Sequence, residues 1–408
     1  MEENNMTRKM VKKYLFRKKL FSIIFLTIIY GLAILNWISN KEIFIEAAEN
    51  QEIGDFSNLE NELNENLYAK MNFVEFYGLL QNIMGKKEFN NFSYVKDEGG
   101  FLQYASFFRE PDDQVLEYAL RVKRLQDKVE SRGTKVFFVV PPGKYTNGHT
   151  LASGLPLNDP TPTVEQLLFY LNRLGIKTLN MNEYLPNSEI SYDDLFFRTD
   201  HHWTIPGAFA GTKVFADFLK DNGLDLDPDN YYFNREYFTE ATYKDIMLGS
   251  MGRTTGANFS GIEDFVALWP EYTGSYTREY WSETGSVFHV EGTFQESIMN
   301  TSYLTTQRSI YSDSMYSLYL DGLRVYEHIE NNENPDGPSF FMIRDSYFSP
   351  VISFLMPTCG SIEAVWSLID ENVIDIDSYI DNNTYDYIVI EMYPYNIEDA
   401  AFNFCKEE

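Results

Sequence analysis

The sequence is poor in cysteine and in basic charge. Its 408 residues include 2 cysteines, Cys359 and Cys405, and no Cys-x-x-Cys pair or Cys/His cluster. Structural zinc is therefore not expected, whereas two cysteines neither require nor exclude a disulfide. The 33 basic residues face 61 acidic ones, for a net charge of -28. Outside the basic first 19 residues the acidic excess is larger still, and because nucleic acid and anionic lipid need clustered basic residues, we expect that part of the chain to bind neither. The charge serves solubility or favours a neutral or cationic substrate.

Basic residues are concentrated before the one long uncharged run. Residues 1–19 form a basic tail, and Leu20–Ile38 follows without a charge. A run of this length can cross a bilayer as a helix, and its basic flank predicts a cytoplasmic N-terminus. The alternative is a cleaved signal peptide, because Ala47 and Ala48 resemble a processing site. Residues 39–72 are acidic and rich in asparagine, which is typical of a spacer.

Residues 73–408 carry the pattern of an α/β domain. A helix is predicted at Pro111–Arg132, because its apolar residues recur at helical spacing, and a short apolar strand follows at Lys135–Val140. Helix followed by buried strand indicates a parallel sheet. This alternation is interrupted at about 230–334, where short alternating runs predict a β-rich insertion. Its glycine-rich stretch, Gly249–Gly256, is predicted to be a flexible loop.

The string Thr199-Asp200-His201-His202-Trp203-Thr204 is the most informative part of the sequence. Thr204 is a suitable N-cap for the helix that Pro206 begins, so the string is predicted to be a turn before a helix. In an extended Asp-x-His both side chains point to the same side. An aspartate beside a histidine can fix its tautomer and stabilise the imidazolium.

A candidate nucleophile lies 144 positions beyond His202. Ser339–Ile343 is predicted to be a buried strand that leads through Arg344-Asp345 to Ser346, and a helical run follows. A serine on such a turn exposes its hydroxyl, and the backbone N–H groups behind it can bind an oxyanion. The order Asp200, His202, Ser346 is no objection, since triad order is not fixed by the chemistry.

The Thr-Asp-x-His-Trp-Thr string and the later Arg-Asp-Ser turn resemble the SGNH-hydrolase-like domain of alginate O-acetyltransferases. The doubled histidine makes the DHHW protein family the best match. The resemblance covers about residues 73–395 and implies an SGNH-like, flavodoxin-like sheet. It also implies that Asp200, His202 and Ser346 are acid, base and nucleophile. The sequence departs from many SGNH hydrolases in having Arg344 where a glycine precedes the Asp-Ser pair.

Eight further residues are candidates for oxyanion or substrate binding, and most have a structural alternative. Tyr347 offers a backbone N–H; the remaining candidates are side chains, namely Asn147, Asn396, Arg344, Arg198, Lys144, Trp203 and Glu391. A core role is favoured for Trp203, ion pairs for the arginines, and a surface position for Glu391. Neighbouring histidines of an extended chain point to opposite faces, so we expect no metal at His201 and no cofactor.

Three functions fit these residues. The resemblance favours an extracytoplasmic O-acetyltransferase that uses an acyl-enzyme on a cell-surface or secreted polysaccharide, with a membrane O-acyltransferase partner as acetyl donor. A carbohydrate acetylesterase needs the same residues, because water then replaces the sugar hydroxyl. A catalytically inactive glycan-binding module is the alternative of another class.

Overall fold

The computed structural model describes residues 2–49, 57–145, 148–185, 190–282, 285–305, 309–312, 314–370 and 372–406. The chain divides into two compact units, Met1–Tyr77 and Gly78–Glu408. The first unit contains helices α1 (Glu2–Glu49) and α2 (Ser57–Glu65), and helix α3 (Lys70–Ile83) runs across the boundary.

Helix α1 is long and apolar enough, over Lys9–Glu49, to cross a membrane. Its apolar side chains are exposed, as Phe21 (72 %) illustrates, which suits a lipid environment. The described parts of the predicted spacer, residues 39–72, are mostly helical, in keeping with their many glutamates and leucines, which favour helix. Hydrogen bonds from Tyr68 N to Asn36 Oδ1 (2.6 Å) and from Asn40 Nδ2 to Asn66 O (2.5 Å) join α1 to the chain after α2.

The second unit is a mixed α/β domain. Its strands are β1 (Glu88–Phe89), β2 (Tyr94–Lys96), β3 (Leu102–Tyr104), β4 (Lys135–Val140), β5 (Lys177–Asn180), β6 (Phe238–Met247), β7 (Glu263–Pro270), β8 (Tyr276–Trp281), β9 (Val287–Gly292), β10 (Tyr326–Asn331), β11 (Ser339–Arg344), β12 (Ser361–Trp366) and β13 (Tyr387–Glu391). Its further helices are α4 (Asp112–Glu130), α5 (Thr161–Arg173), α6 (Met181–Tyr184), α7 (Tyr192–Leu195), α8 (Ile205–Asp221), α9 (Ser250–Thr255), α10 (Ala257–Ser260), α11 (Ser302–Thr305), α12 (Phe348–Leu355) and α13 (Ile376–Asn382).

An eight-stranded sheet forms the centre, in the order β5-β4-β13-β11-β12-β10-β8-β9. The five strands from β5 to β12 run parallel. Successive residues of a strand point to opposite faces, and in β4 Phe137 and Val139 pack with α8 and α12 while Phe138 and Val140 pack with α4 and α5. Helices therefore cover both faces, and the α/β architecture expected from the sequence is confirmed.

The insertion at about 230–334 does two things. Its last part, β8 to β10, extends the central sheet in antiparallel register at β12. Its first part forms a separate antiparallel ribbon, β6–β7, followed along the chain by β8. The prediction of a flexible loop at Gly249–Gly256 is wrong, because residues Ser250–Thr255 form helix α9 with Met251, Gly252 and Thr255 buried.

The sheet brings distant segments together at one edge. The chain after β11 leads to Ser346, the chain after β13 leads to Tyr393, and the chain after β4 leads to Lys144. Since β13 lies between β11 and β4 in the parallel sheet, these three segments meet at its carboxyl edge, where open α/β sheets bind ligands.

Cys359 and Cys405 are both free thiols.

Candidate active site

A short loop holds the Asp-His pair. Phe196 and Trp203 form an antiparallel bridge, and the N–H of Phe197 donates to the carbonyl of His202 at 3.2 Å. As expected, Thr204 caps the next helix, since its hydroxyl accepts the N–H of Gly207 at 3.0 Å. Residues 198–202 are thus a bent turn fixed between a bridge and a capped helix, rather than an extended strand.

The structure brings Asp200, His202 and Ser346 together. His202 Nδ1 lies 2.7 Å from Asp200 Oδ1, and His202 Nε2 lies 2.6 Å from Ser346 Oγ. Asp200 is 1 % exposed and His202 8 %, whereas Ser346 keeps partial contact with solvent. With the Nδ1 proton donated to Asp200, Nε2 is left as an acceptor for the serine proton.

Asp200 is held as a carboxylate. Burial raises the pKa of Asp200, but the nearby His202 and His201 and the N–H of Ser250 lower it by more, so it lies below its ordinary value. The N–H of Ser250 donates to Oδ2 at 2.8 Å. The second oxygen is therefore fixed from α9, which leaves Oδ1 directed at the imidazole.

The residue before Asp200 is held from the insertion. Glu263 on β7 accepts the backbone N–H groups of Arg198 and Thr199 at 2.6 and 2.7 Å, and the Thr199 hydroxyl at 2.6 Å. That hydroxyl in turn accepts the N–H of Gly249 at 2.9 Å. The insertion thus supports the Asp-His loop directly, a role that no local sequence pattern indicated.

His201 lies beside His202 rather than on the opposite face. Their ring centroids are 3.8 Å apart, because the turn replaces the extended conformation assumed in the sequence argument. His201 Nδ1 lies 3.2 Å from Asp200 Oδ1 and 3.3 Å from Ser250 Oγ. Burial, followed by the neighbouring His202 charge, lowers the pKa of His201 to about 3, so this ring is neutral at physiological pH and braces the turn.

Among the described residues, Asp200, His201 and His202 form a group that could hold a metal ion. One ligand atom from each of the three lies within 4.8 Å of the other two. Both ring nitrogens of His202 already have protein partners, Asp200 and Ser346. An ion at this group would have to displace one of these two hydrogen bonds.

Buried aromatic residues fix the imidazole plane. Tyr316 stacks on His202 with ring centroids 4.0 Å apart and planes 19° apart. Trp203 is fully buried, and its Nε1 donates to Tyr316 Oη at 3.0 Å and to Tyr347 O at 3.2 Å. Trp203 therefore anchors the turn in the core, as favoured, and cannot stack on a sugar. Tyr316 was missed, because it lies 113 positions from Trp203 in an unremarkable stretch.

Three of the candidate oxyanion or substrate groups, Tyr347, Asn396 and Glu391, are instead hydrogen-bonded to Asp345. The buried Asp345 carboxylate accepts the N–H of Tyr347 at 2.9 Å and the side-chain amide of Asn396 at 3.0 Å. It also accepts the N–H of Tyr393 at 2.7 Å. Tyr347 N–H and Asn396 are thus not free to bind an oxyanion. Glu391 is fully buried rather than on the surface, and its Oε2 accepts the N–H of Asp345 at 2.9 Å.

The remaining candidates are also engaged or lie elsewhere. Lys144 is buried and donates to Phe197 O at 3.0 Å, and burial lowers its pKa to about 8. Arg344 is fully buried and pairs with Glu327. Arg198 is exposed, and its Nη2 lies 3.6 Å from Asp193 Oδ2. Asn147 falls outside the described residues.

The N–H of Ser346 is the backbone donor left at the turn. Among the described residues it has no acceptor within the protein, while the N–H groups on either side, of Asp345 and Tyr347, donate to Glu391 and Asp345. A free N–H on Ser346 itself is placed to contact an oxygen of a group bonded to Ser346 Oγ.

Replacing Glu391 with glutamine is expected to flatten the pH dependence of stability. Burial, then the nearby Asp345, raises the pKa of Glu391 well above its ordinary value. A raised folded pKa gives stability that is complete below the unfolded pKa and is lost as pH rises through the folded one. Glutamine does not titrate. Between these two pKa values, the free energy of unfolding of the natural protein therefore falls by about 1.4 kcal/mol per pH unit relative to that of Glu391→Gln.

Urea unfolding at pH 5 and pH 8 measures this difference. The natural protein should lose more stability between the two pH values than Glu391→Gln does. Glu330→Gln is the control, because Glu330 is an exposed glutamate of β10. Equal pH slopes for the natural protein and Glu391→Gln would contradict a proton held on the buried carboxyl.

Comparisons with known proteins concern the family pattern and the fold of the chain. Residues 101–275 match a family model described as the SGNH hydrolase-like domain of the acetyltransferase AlgX. A DHHW family protein from Eubacterium siraeum is similar in structure, with 18% identity and a TM-score of 0.52 over 76% of this chain and 93% of that chain. Bacillus cereus PatB1, solved with a sulfonyl adduct, has 15% identity and a TM-score of 0.59 over 77% of this chain and 97% of that chain. No curated protein sequence matches the chain.

The matched segment, residues 101–275, contains the Asp-His turn and ends before Ser346. Ser346 follows β11, which lies in the same central sheet. The match and the shared fold confirm the resemblance expected from the Thr199–Thr204 string: residues 101–275 match the model of an SGNH hydrolase-like domain, and the chain is similar in fold to a DHHW family protein.

Proposed function

We propose that the protein is a membrane-anchored, extracytoplasmic O-acetyltransferase that modifies a cell-surface or secreted polysaccharide through an acetyl-enzyme on Ser346. The observation that carries the proposal is the hydrogen-bonded series Asp200–His202–Ser346, with 2.7 and 2.6 Å between the joined atoms. The AlgX match supports acetyl transfer, since that model describes an acetyltransferase domain.

The first half-reaction forms an ester. Ser346 Oγ attacks the acetyl carbonyl of the donor as its proton passes to His202 Nε2, and Asp200 stabilises the imidazolium. The carbonyl oxygen becomes an oxyanion within reach of the Ser346 N–H. As the tetrahedral adduct collapses, the bond to the leaving group breaks, and that group takes the proton from His202.

The second half-reaction repeats these steps with a sugar hydroxyl. His202 accepts the hydroxyl proton while the sugar oxygen attacks the acetyl-enzyme, and the proton then returns to Ser346 Oγ as the ester bond breaks. Water in place of the sugar gives acetylesterase chemistry, so the acceptor decides between transfer and hydrolysis. A membrane O-acyltransferase is the proposed acetyl donor, as the family resemblance implies.

Anchoring follows from α1. The basic residues 8–19 are proposed to stay in the cytoplasm, which places the second unit outside. After alkaline carbonate extraction of cells that make the full chain, the protein should remain in the membrane fraction. Release of a shortened chain into the supernatant would instead indicate a cleaved signal peptide.

Acetylation of Ser346 is the test of the proposed function. After mixing with p-nitrophenyl acetate and rapid acid quenching, we expect a +42 Da adduct on the peptide that contains Ser346, and none in Ser346→Ala. A sulfonyl fluoride should label the same peptide and block acetylation. No adduct and no p-nitrophenol release above the Ser346→Ala rate would favour the inactive glycan-binding module. Release of free acetate that an oligosaccharide acceptor never diverts would favour an esterase.

A further inference from the structure

A series of tyrosine rings leads away from the catalytic turn. The ring centroids are 6.2 Å apart between His201 and Tyr104, 5.2 Å between Tyr104 and Tyr395, and 5.8 Å between Tyr395 and Tyr145. We call Tyr104, Tyr395 and Tyr145 the tyrosine platform. They come from the end of β3 and from the segments after β13 and β4, so three separate elements bring them to the same edge as Ser346.

The platform is backed by buried aromatic rings and keeps contact with solvent. Tyr393, which is 4 % exposed, lies beneath it, 5.5 Å from Tyr395 and 4.5 Å from Tyr347. Tyr104, Tyr395 and Tyr145 are each half-buried. Among the described residues, the hydroxyls of Tyr104 and Tyr395 have no protein partner, and they are not sealed from water. Tyr395 is therefore packed against a buried ring, while the hydroxyls of Tyr104 and Tyr395 remain available to a ligand.

The charges around the platform do not suit an anionic ligand. The basic side chains next to the catalytic turn are already engaged, Lys144 with a backbone carbonyl, Arg344 with Glu327 and Arg198 with Asp193. Burial raises the pKa of Tyr395 in the first place, and the negative charge of Asp159 raises it further. The whole chain carries a net charge of -28. A carboxylate-bearing sugar would meet repulsion here without a compensating cation.

We propose that the tyrosine platform binds the acetyl-accepting glycan and that this glycan is uncharged. Pyranose rings present apolar C–H faces that pack on aromatic rings, and their hydroxyls can hydrogen-bond to tyrosine hydroxyls. A glycan on Tyr104 and Tyr395 reaches His201, the neighbour of the base His202. This inference rests on the proposed function, since the platform serves an acceptor only if Ser346 carries the acetyl group.

Binding is tested apart from chemistry, in the full chain carrying Ser346→Ala. The probes are a β-1,4-linked glucose tetramer and the same tetramer oxidised to the uronate at every C6, titrated by calorimetry or by NMR. We expect the uncharged tetramer to bind at least about tenfold more tightly than the uronate at low salt. Its affinity should be nearly the same at low and high salt, because no charge on the ligand is screened.

Variants of the platform follow in the same background. Tyr395→Ala should weaken binding of the uncharged tetramer about tenfold, which corresponds to about 1.4 kcal/mol, while Tyr395→Phe keeps the ring and most of the affinity. Phe108→Ala is the matched control, because Phe108 is 90 % exposed and takes no part in the platform. Circular dichroism checks that each variant is folded.

The outcomes separate the platform from the proposed function. Absence of binding of the uncharged tetramer, equal or tighter binding of the uronate, or unchanged affinity in Tyr395→Ala would each overturn the platform. If Ser346 is acetylated in the natural protein while the tetramer does not bind, the platform fails and the acetyl-enzyme stands. If the tetramer binds as expected and Ser346 is never acetylated, the proposed function fails and the platform remains as a glycan site.

Discussion

Replacing Asp200 with asparagine is expected to lower the rate of Ser346 acetylation by roughly 10⁴-fold. The asparagine amide group would face His202 Nδ1 as a donor, whereas the carboxylate accepts the Nδ1 proton at 2.7 Å. The imidazole would then carry its proton on Nε2 and could not take the proton of Ser346 Oγ, 2.6 Å away. The measurement is the single-turnover rate of p-nitrophenol release, with the +42 Da adduct quantified in parallel.

Asp193→Asn is the control for this change. Asp193 is an aspartate of the preceding helix with a side chain 46% exposed, and it contacts His149 and Arg198 rather than the imidazole. Its replacement should alter the acetylation rate by about twofold or less, since surface substitutions away from a site have small effects. An Asp200→Asn protein that is folded and keeps a tenth of the natural rate would rule out the proposed role of this carboxylate.

The Asp-His turn and the Ser346 turn were predictable because each is specified by a few consecutive residues. Thr204 and Pro206 mark the start of a helix, and an apolar strand precedes Ser346, so local patterns alone place both turns at element ends. What joins them is the parallel sheet, and the alternation of helix and strand predicted that as well. These parts of the fold and the site depend on periodicity and capping, which are local in sequence.

The support of the turn was not predictable, because it comes from residues distant in sequence. Gly249 and Gly252 suggested a flexible loop, yet both lie where the backbone closely approaches the Asp-His turn. A side-chain carbon at Gly249 would collide with Asp200, and one at Gly252 would lie 2.9 Å from Thr199 Cβ. Glycine here permits close packing rather than flexibility. Sequence composition alone does not distinguish these two uses.

The buried charges show the same limit. Arg344 and Glu391 end apolar strands at the carboxyl edge of the sheet, where open α/β sheets commonly bind ligands, so a substrate role was a reasonable hypothesis. Both are fully buried, and their partners come from other elements, Glu327 on β10 for Arg344 and the Asp345 N–H for Glu391. Whether a charged residue faces a cleft or a buried partner is decided by strand order, which the sequence does not state.

Replacing Glu327 with alanine is expected to lower the free energy of unfolding by roughly 3–5 kcal/mol. Glu327 is fully buried and bridges two buried guanidinium groups, Arg344 through Oε1 and Arg278 through Oε2 at 3.1 Å. Arg278 would keep Asp321 at 3.0 Å, but the one hydrogen bond left to the Arg344 side chain among the described residues would be that to Ser349 Oγ, at 3.4 Å. The cost is that of an uncompensated cation directly before the Ser346 turn, and urea unfolding at pH 7 measures it.

Two further variants separate the charge from the packing. Glu330→Ala removes a glutamate from the same strand whose side chain is 57% exposed, and it should cost about 0.5 kcal/mol or less. Glu327→Leu combined with Arg344→Met removes both charges and retains most of the volume, so its loss should be well below that of Glu327→Ala. If instead the double variant is as unstable as Glu327→Ala, the unpaired Arg344 is not the cause, because the double variant has no cation at position 344 and retains most of the volume. The loss would then belong to Arg278, which is deprived of Glu327 Oε2 in both variants and keeps Asp321.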